Sequence, residues 1–319
     1  MDDEYKGLWS ETLEPFLVSL EAERKTSVNR FVVWAGGFAL LGLAIGLYLY
    51  LARSSEVFIP PMMAFFGFVL GAIIGGRRLE RLRKSVKLEL NSKLAEACQL
   101  SYALKPDQPA RFETFRSLGL LPSYTRCGFE DHFTGDRLGC DFELYEAHLE
   151  QRRKSGKTTT YVTVFRGVLI RINFPRKVEG ITVITRDKGV FNGLEAMGRS
   201  FGSKKLERIG LVDPVFEKAF EVYGTDQVLA RYMLNPAFME RLLKLETALK
   251  GKNVRAVFDE HSGEGELLIA AETGNLFEVG SMFKPLANQE RVVTLIAQLR
   301  LVTEIIENLV KPPELGEGG

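Results

Sequence analysis

Residues 31–51 read FVVWAGGFALLGLAIGLYLYL, and no charged side chain interrupts them. As an α-helix, about 21 residues measure about 31 Å, which matches a membrane hydrocarbon core of about 30 Å. A second apolar run, FIPPMMAFFGFVLGAIIGG, follows at residues 58–76 after a short turn. Pro60 and Pro61 stand where the first turn of a helix tolerates a missing amide donor. The sequence therefore predicts a transmembrane hairpin over residues 31–76. A re-entrant second run is the alternative, and it also leaves both termini on one face.

The orientation of this hairpin follows from the positions of Lys and Arg, which resist translocation when they lie in short flanking segments. One such residue, Arg53, lies between the two runs. Nine lie just before the first run or just after the second: Arg24, Lys25, Arg30, Arg77, Arg78, Arg81, Arg83, Lys84 and Lys87. This bias predicts a multi-pass protein of the cytoplasmic (inner) membrane with both termini in the cytoplasm. Neither run contains Asp, Glu, Lys, Arg or His, so the usual sign of an ion or proton pathway is missing.

Small residues recur at intervals of four within the two runs, as Gly42 and Gly46 in the first and Gly67, Gly71 and Gly75 in the second. Glycines at this spacing let helix backbones approach closely. We interpret them as helix-packing residues within the hairpin, and a homo-oligomer that packs through the same faces is the alternative.

Two charged segments flank the hairpin. Residues 1–30 form an acidic arm with weak helical periodicity, and residues 77–104 have the spacing of a juxtamembrane helix that continues the second run. The basic cluster that opens this helix consists of Arg77, Arg78, Arg81, Arg83, Lys84 and Lys87. It indicates either attraction to anionic lipid, on the order of 1 kcal/mol per charge, or a topology signal alone. The opposite charges also allow the arm and this helix to pair.

Beyond Pro106 and Pro109 the apolar period changes to two, which predicts an α+β domain over residues 105–310. About seven mostly antiparallel strands are expected, at 129–133, 140–146, 158–165, 168–174, 181–185, 254–260 and 265–272. Helix signals predict an insert of three helices at about 214–222, 226–233 and 236–250, with caps at Asp213, Thr225, Asn235 and Gly251. A wide apolar stripe predicts a core helix over 288–309, and the Pro- and Gly-rich tail 311–319 is expected to be disordered. The strand count and final helix are similar to those of pleckstrin-like domains, an analogy at the level of the fold.

The stretch FEVYGTDQVLARYMLNPAFMERLL, with VTVFRGVLIRINFP upstream, resembles a bacterial membrane-protein family catalogued as domain of unknown function thirty-one thirty-seven. The resemblance covers roughly residues 110–310 and the N-terminal double span. It depends on Tyr223, Asp226, Arg231, Tyr232, Pro236, Glu240 and Arg241. It implies membership and no catalytic role. From their residue types, we interpret Arg231, Tyr232, Glu240 and Arg241 as braces of the helical insert, and a recognition surface is the alternative.

Composition excludes several classes of protein. The net charge of +1 argues against the broad basic field that nucleic-acid binding needs. Three unpaired cysteines, Cys98, Cys127 and Cys140, indicate a reducing compartment. The stretch SGKT at 155–158 ends like a P-loop, but Gln151 replaces the required glycine. Cys127, His132, Cys140 and His148 lack the close ligand pairs of structural zinc, so we predict neither a metal nor a cofactor.

Other polar groups suggest weaker hypotheses. Arg152, Arg153, Lys154 and Lys157 would form a basic hairpin tip that is either solvated or in contact with lipid headgroups or an acidic partner. Acid-base pairs could come from Asp131 with His132, from Glu260 with His261, or from Asp213 with Glu240. Neighbours on a strand point to opposite faces, so adjacency alone does not indicate a working pair.

The sequence favours a membrane-anchored, cytoplasm-facing binding or scaffold protein over an enzyme. Such a protein would hold a protein partner or lipid headgroups at the inner face of the cytoplasmic membrane. A membrane-bound hydrolase with a site assembled from dispersed acids and a histidine is one alternative. An accessory subunit of a membrane complex is another.

Overall fold

The computed structural model describes residues 7, 9–53, 56–156, 158–186 and 206–310. Its internal contacts divide the chain into two compact units. The helical unit consists of Met1–Lys93 and Glu278–Val292, and the sheet unit of Leu94–Phe277 and Val293–Gly319, in each case as far as they are described. A short segment late in the sequence thus belongs with the N-terminal helices. The predicted tail 311–319 lies outside the described residues.

The helical unit is built from a π-helical turn and three α-helices. The turn spans Trp9–Leu13, and the helices are α1 (Glu14–Ser19), α2 (Glu21–Arg53) and α3 (Ile59–Ala97). Helices α2 and α3 are long and apolar enough to cross a membrane. Only 17% and 11% of their apolar windows are buried inside the structure, whereas the core helix of a soluble protein is mostly buried. Pro60 and Pro61 occupy the first turn of α3, where they cost no intrahelical hydrogen bond.

The acidic arm packs within the helical unit. Trp9, Leu13 and Leu17 are buried, as are Leu82 and Val86 on the half of α3 that follows the second apolar run. The Lys93 ammonium lies 5.3 Å from the centre of the Phe16 ring, a cation-π contact between the arm and the end of α3. Burial of these apolar side chains and the cation-π contact hold the acidic arm within the helical unit.

Helix α3 ends at Ala97, whereas the spacing of apolar residues predicted a juxtamembrane helix that ends at residue 104. Gln99 adopts a left-handed φ of 59°, and the Leu100 amide donates to the Ala95 carbonyl over 2.8 Å. This is the hydrogen-bonded reversal that closes many helices, and a non-glycine residue performs it here. The chain after it can therefore form a strand.

The sheet unit contains one antiparallel sheet of nine strands among the described residues. Its spatial order is β1-β2-β3-β4-β9-β8-β5-β7-β6. The strands are β1 (Ser101–Ala103), β2 (Arg126–Arg137), β3 (Cys140–Ser155), β4 (Thr158–Phe174), β5 (Thr182–Arg186), β6 (Glu207–Arg208), β7 (Phe220–Gly224), β8 (Lys252–His261) and β9 (Glu264–Glu272). The helices of this unit are α4 (Phe112–Ser117), α5 (Pro214–Ala219), α6 (Gln227–Met233), α7 (Pro236–Leu249) and α8 (Gln289–Val310). The fold is α+β, as predicted.

Helices cover both faces of the sheet, so polar side chains of its central strands are buried. On one face, Phe238 of α7 packs on Phe258 of β8 with ring centres 5.3 Å apart. The other face is covered by α4, whose Phe112 and Phe115 belong to the same buried cluster as Tyr145 and Leu169. A charged side chain on either face of the central strands is therefore removed from water and needs a partner.

The strand count differs from the predicted seven because two strands were merged and three were missed. Residues 158–174 form one strand, so Gly167 does not interrupt it. The strands β1 and β6 are too short to show a period of two. The strand β7 replaces the end of the helix expected at 214–222, because residues 220–224 pair with β5 and place Tyr223 opposite Val183.

The caps of the helical insert follow the sequence signals with two changes. Asp213 and Asn235 cap α5 and α7 through hydrogen bonds to backbone amides. The cap of α6 is Asp226, since the Thr225 hydroxyl accepts from the Ile181 amide instead. Lys250, and not Gly251, takes the left-handed conformation that ends α7.

Candidate functional site

The five glycines of the two apolar runs line the contact between α2 and α3. A Cβ atom at Gly42, Gly67 or Gly71 would lie within 3.0 Å of backbone atoms on the facing helix, at Met63, Phe38 and Trp34 respectively. A Cβ atom at Gly46 or Gly75 would lie equally close to Pro60 or Phe31. The helices can approach this closely only where side chains are absent. Here the glycines pack within one chain.

The basic cluster after the second run divides into two groups. Arg83, Lys84 and Lys87 form ion pairs: Lys84 with Glu80 over 3.6 Å, and Arg83 and Lys87 with Glu278 over 2.5 and 2.9 Å. Over the part of the chain that is described, Arg77, Arg78 and Arg81 form none. Half of the cluster thus stabilises the protein itself, and the exposed half is free to bind an anion.

The partner of the first group lies in residues 278–292, which we call the base segment. Glu278 pairs with cations of α3, and because Lys87 is buried, loss of Glu278 would leave an uncompensated charge inside the protein. Burial alone would raise the pKa of Glu278, but the hydrogen bonds and charges of Lys87 and Arg83 lower it below its usual value. The base segment is thereby fixed to α3.

The base segment also binds α2. The buried Arg24 donates to the Met282 carbonyl over 2.8 Å and forms two hydrogen bonds with Glu21. Phe31, at the start of the first apolar run, packs edge-on against Phe283 with ring centres 5.5 Å apart. The segment therefore joins α2 and α3 on the side where the first apolar run begins and the second ends. Nothing in its sequence has the periodicity that would have indicated this role.

The sheet unit contains a network of charged side chains that no pattern in the sequence predicted. Glu266 on β9 is fully buried, and Arg111 donates two hydrogen bonds to it over 3.0 and 2.7 Å. Arg171 on β4 lies 3.8 Å from Glu266 and donates to Glu143 over 2.7 Å. The Nε2 atom of His132 is 3.1 Å from Glu143. The network spans β2, β3, β4 and β9, so only the strand order brings its members together.

The pH dependence of the sheet unit follows from Glu143. Burial alone would raise its pKa, but His132 and Arg171 together lower it below the ordinary 4.5. Because the folded pKa is below the unfolded one, Glu143 stabilises the fold above about pH 4.5 and loses this effect as the pH falls through the folded pKa. We expect Glu143→Gln to lower stability at pH 7 and to flatten the loss of stability between about pH 5 and pH 3. Urea unfolding of the full chain at several pH values measures both.

The control for this prediction is Glu150→Gln. Glu150 lies on the same strand and pairs with Arg126 over 2.6 Å, but at the surface. The hydrogen bond to Arg126 also lowers the pKa of Glu150, but Arg126 is 55% exposed and water screens the pair, so Glu150→Gln should flatten the pH profile less than Glu143→Gln does. Equal slopes for Glu143→Gln and the unaltered chain would contradict the role of Glu143.

The other candidate acid-base groups have structural partners. Asp131 accepts from the Tyr102 hydroxyl over 2.6 Å, and it lies at an irregularity of β2 where its φ is 55°. Asp213 caps α5, and Glu240 pairs with Lys244 one turn on. His261 lies at the β8–β9 turn opposite Glu264. None of the three predicted pairs is assembled within the described residues, and the pair that forms is His132 with Glu143.

The cysteines and the remaining histidine lie on β2 and β3 or just after α3. Cys127 is exposed, whereas Cys140 is buried and burial raises the pKa of its thiol to about 11. The His148 ring is 2.8 Å from the Thr163 hydroxyl. Cys140 is therefore a protonated core thiol at neutral pH.

The predicted basic tip is an extension of the β3–β4 ribbon. Arg152, Arg153 and Lys154 are exposed on the last residues of β3, and Lys157 lies outside the described residues. Nearby, the Arg126 guanidinium stacks 3.9 Å above the Tyr161 ring. The tip offers cations and an aromatic ring on one exposed ribbon.

The residues that carry the family resemblance lie in the helical insert or on the strand beside it. Asp226 caps α6, Pro236 begins α7, and Arg231 donates to the Gly210 carbonyl over 3.3 Å. The Tyr223 hydroxyl donates to Glu221, and Arg241 donates to the carbonyl one turn earlier in α7. Tyr232 is exposed, and Arg176 lies over its ring at 5.2 Å. Glu240 forms the surface pair described above.

Two clefts on the described part of the chain are large enough for a small ligand. One, of about 330 Å³, lies on the sheet unit between Lys105, Phe129, Glu146 and Arg166. Its polar groups are already engaged: Arg166 donates to Asn275 over 2.5 Å, and Glu146 accepts from the amides of residues 276 and 277. The other, of about 590 Å³, lies between α2 and α3 and contains Arg30, Arg78 and Arg81. We call it the arginine groove.

Comparison with known proteins supports the resemblance found in the sequence. Residues 163–311 match the model of a family described as "Protein of unknown function (DUF3137)", so the resemblance is confirmed over that part of the chain. No curated protein matches. Among solved structures, the chain is similar to the crystal structure of the mycobacterial trehalose monomycolate transport factor A, TtfA. The TM-score is 0.33 at 11% identity, over 71% of this chain and 97% of that one.

Proposed function

We propose that this chain, which carries a DUF3137 domain over residues 163–311, is a multi-pass protein of the cytoplasmic membrane that holds a protein partner at its inner face. In this proposal α2 and α3 form a transmembrane hairpin with both termini in the cytoplasm. The acidic arm, the cytoplasmic half of α3 and the α+β domain after it all face the cell interior. The sheet unit is then a binding module and not an enzyme.

The observation that carries the proposal is the arrangement of side chains on α2 and α3. The glycines of each helix face the backbone of the other helix, and large apolar side chains of both helices are exposed. Leu40, Tyr48, Phe65 and Phe66 are each at least 60% exposed. Soluble proteins rarely expose apolar patches above a few hundred Å². A lipid environment removes this cost, and the charge bias around the hairpin supports the orientation.

The state of the candidate catalytic groups supports a binding role over a hydrolase. A general base needs a free lone pair within reach of a substrate. Glu143 and Glu266 are committed to arginine, and Asp213 to the end of a helix. Each of these contacts satisfies a polar group inside the protein, and removal of one partner of a buried pair would leave the other charge uncompensated. The exposed basic ribbon at Arg152 to Lys154 is the surface we assign to an acidic partner.

Cysteine labelling in intact cells tests the orientation. Glu56 is an exposed residue between α2 and α3. In a chain with Glu56→Cys, Cys98→Ser and Cys127→Ser, we expect a membrane-impermeant maleimide to label residue 56 without permeabilisation. In the unaltered chain the exposed Cys127 should react only after permeabilisation. The reverse pattern would place the sheet unit outside the cell, and labelling of neither before permeabilisation would exclude a full crossing.

The same cells test the binding role. Brief crosslinking before gentle solubilisation should recover this chain bound to a second protein, and Arg152→Glu with Arg153→Glu should reduce the yield because it reverses the charge of the ribbon. Recovery of the monomer alone, or an unchanged yield in the variant, would count against the proposed partner surface.

A further inference from the structure

The arginine groove straddles the level at which the first apolar run begins and the second ends. Its apolar end contains Trp34 and Ile74, and its polar end contains Arg78, Arg81 and Ser85. From residue 74 to residue 81 an α-helix rises about 10 Å, roughly the distance from the upper acyl chain to the headgroup region. The groove therefore presents an apolar wall and a basic wall in the order in which a lipid presents its chain and its phosphate.

Three guanidinium groups meet in this groove from two helices. Arg30 comes from α2, and Arg78 and Arg81 come from α3. All three are exposed and have no ion-pair partner within the described ranges, although Arg83 and Lys87 on the same helix are neutralised by the base segment. Among the described residues Glu23 is the one acid that lines the groove, so their charge there is three positive against one negative, or +2. The groove is thus complementary to an anion.

The chemistry of the lining favours a phosphate that carries an acyl chain. Arginine binds phosphate oxygens through pairs of parallel hydrogen bonds, which a compact ammonium group cannot form. Trp34 is 38% exposed and Ile74 is 37% exposed, so both offer apolar surface that a soluble phosphate would leave unused. Tryptophan is also the residue that membrane proteins place at the headgroup level.

We propose that the arginine groove binds one anionic phospholipid of the inner leaflet, with its phosphate on Arg30, Arg78 and Arg81 and an acyl chain along Trp34 and Ile74. This inference rests on the proposed membrane orientation and goes beyond it. The basic cluster alone predicts a general attraction to anionic lipid, whereas the arginine groove is a site for one lipid molecule. Through Arg78 the bound lipid would lie against the same helix that the base segment holds.

The test uses the full chain in detergent and native mass spectrometry with added phosphatidylglycerol or phosphatidylcholine. We expect the unaltered chain to retain phosphatidylglycerol in preference to phosphatidylcholine. Arg78→Gln with Arg81→Gln should reduce that affinity about thirtyfold, at about fivefold per charge. The matched control is Arg77→Gln with Lys84→Gln, which removes the same charge from the same helix but from outside the groove. It should change the affinity less than about threefold.

A lysine variant and competition by glycerol phosphate provide two further tests. Arg78→Lys with Arg81→Lys keeps the charge and should retain part of the affinity, so equal loss in the Lys and Gln variants would indicate a folding defect and would count against the site as described. Equal losses in the groove variant and the control would show non-specific attraction and overturn the inference. So would displacement of the lipid by glycerol phosphate alone, because that result would identify a site for a free phosphate.

Failure of the groove and failure of the anchor can be told apart. The label at Glu56→Cys reports insertion in each variant independently of lipid retention. A chain that inserts normally but shows no preference for phosphatidylglycerol would overturn the groove and leave the membrane anchor intact. A chain that does not insert would overturn both.

Discussion

Leucine at both Gly67 and Gly71 is expected to separate α2 from α3 and to unfold the helical unit. At each position even a single Cβ atom would meet backbone atoms of the facing helix within 3.0 Å, at Phe38 and at Trp34. Backbone cannot move aside as the end of a flexible side chain can. Overpacking costs about 1–3 kcal/mol per site, and we expect a combined loss of about 3 kcal/mol or more.

Intrinsic fluorescence measures this effect, because both tryptophans of the chain, Trp9 and Trp34, lie in the helical unit. The thermal midpoint of the detergent-solubilised double variant should fall, and less monodisperse protein should be recovered. The control is Gly36→Leu with Gly37→Leu on α2, where no atom lies within 4 Å of a Cβ. If the control were the more damaging pair, the important contact would be on the outer face, as in a homo-oligomer.

Alanine at Glu266 should destabilise the sheet unit more than any other single substitution among its ion pairs. The carboxylate is fully buried, and its removal leaves the guanidinium groups of Arg111 and Arg171 without their shared partner. Breaking a buried pair from one side costs about 3–5 kcal/mol. Arg111 is 23% exposed and Arg171 14%, so water compensates in part and we expect about 3 kcal/mol.

The rate at which Cys140 becomes accessible to a thiol reagent reports this loss, since that thiol is buried in the folded sheet. Glu272→Ala is the matched control, because Glu272 lies on the same strand at its partly exposed end and accepts from the neutral Asn253 over 3.1 Å. It should change stability by less than about 0.5 kcal/mol. Protection of Cys140 that is unchanged by Glu266→Ala would show that the network contributes little to the fold.

Local sequence signals predicted the insert and the long strands well because their causes are local. Aspartate or asparagine before proline specifies a helix start through its own side chain, as at Asp213 and Asn235. Alternation within residues 140–146 predicts a strand because successive side chains of a strand point to opposite faces of the sheet. The strand β7 was missed because its partner is β5, about 40 residues earlier, and a pairing across that distance leaves no local pattern. The likeness to pleckstrin-like domains stays a prediction.

The ion pairs of the candidate site could not be predicted from the sequence for the same reason. From the sequence, the six cations after the second apolar run are equivalent, and the three histidines are equal candidates for a base. The structure distinguishes them, because Glu278 reaches Arg83 from 195 residues away and Glu143 reaches His132 from a neighbouring strand. Charge pairing depends on distance in space, which the chain sets only after it folds.

The sequence by itself determined the two apolar runs, the spacing of their glycines and the charge bias around them. These properties depend on composition and helical periodicity, and they need no tertiary partner to be expressed. The tertiary structure alone decided which arginines are neutralised by the base segment and which remain free in a groove beside Trp34. That division depends on contacts between residues far apart in sequence, and only the packed chain brings them within reach of one another.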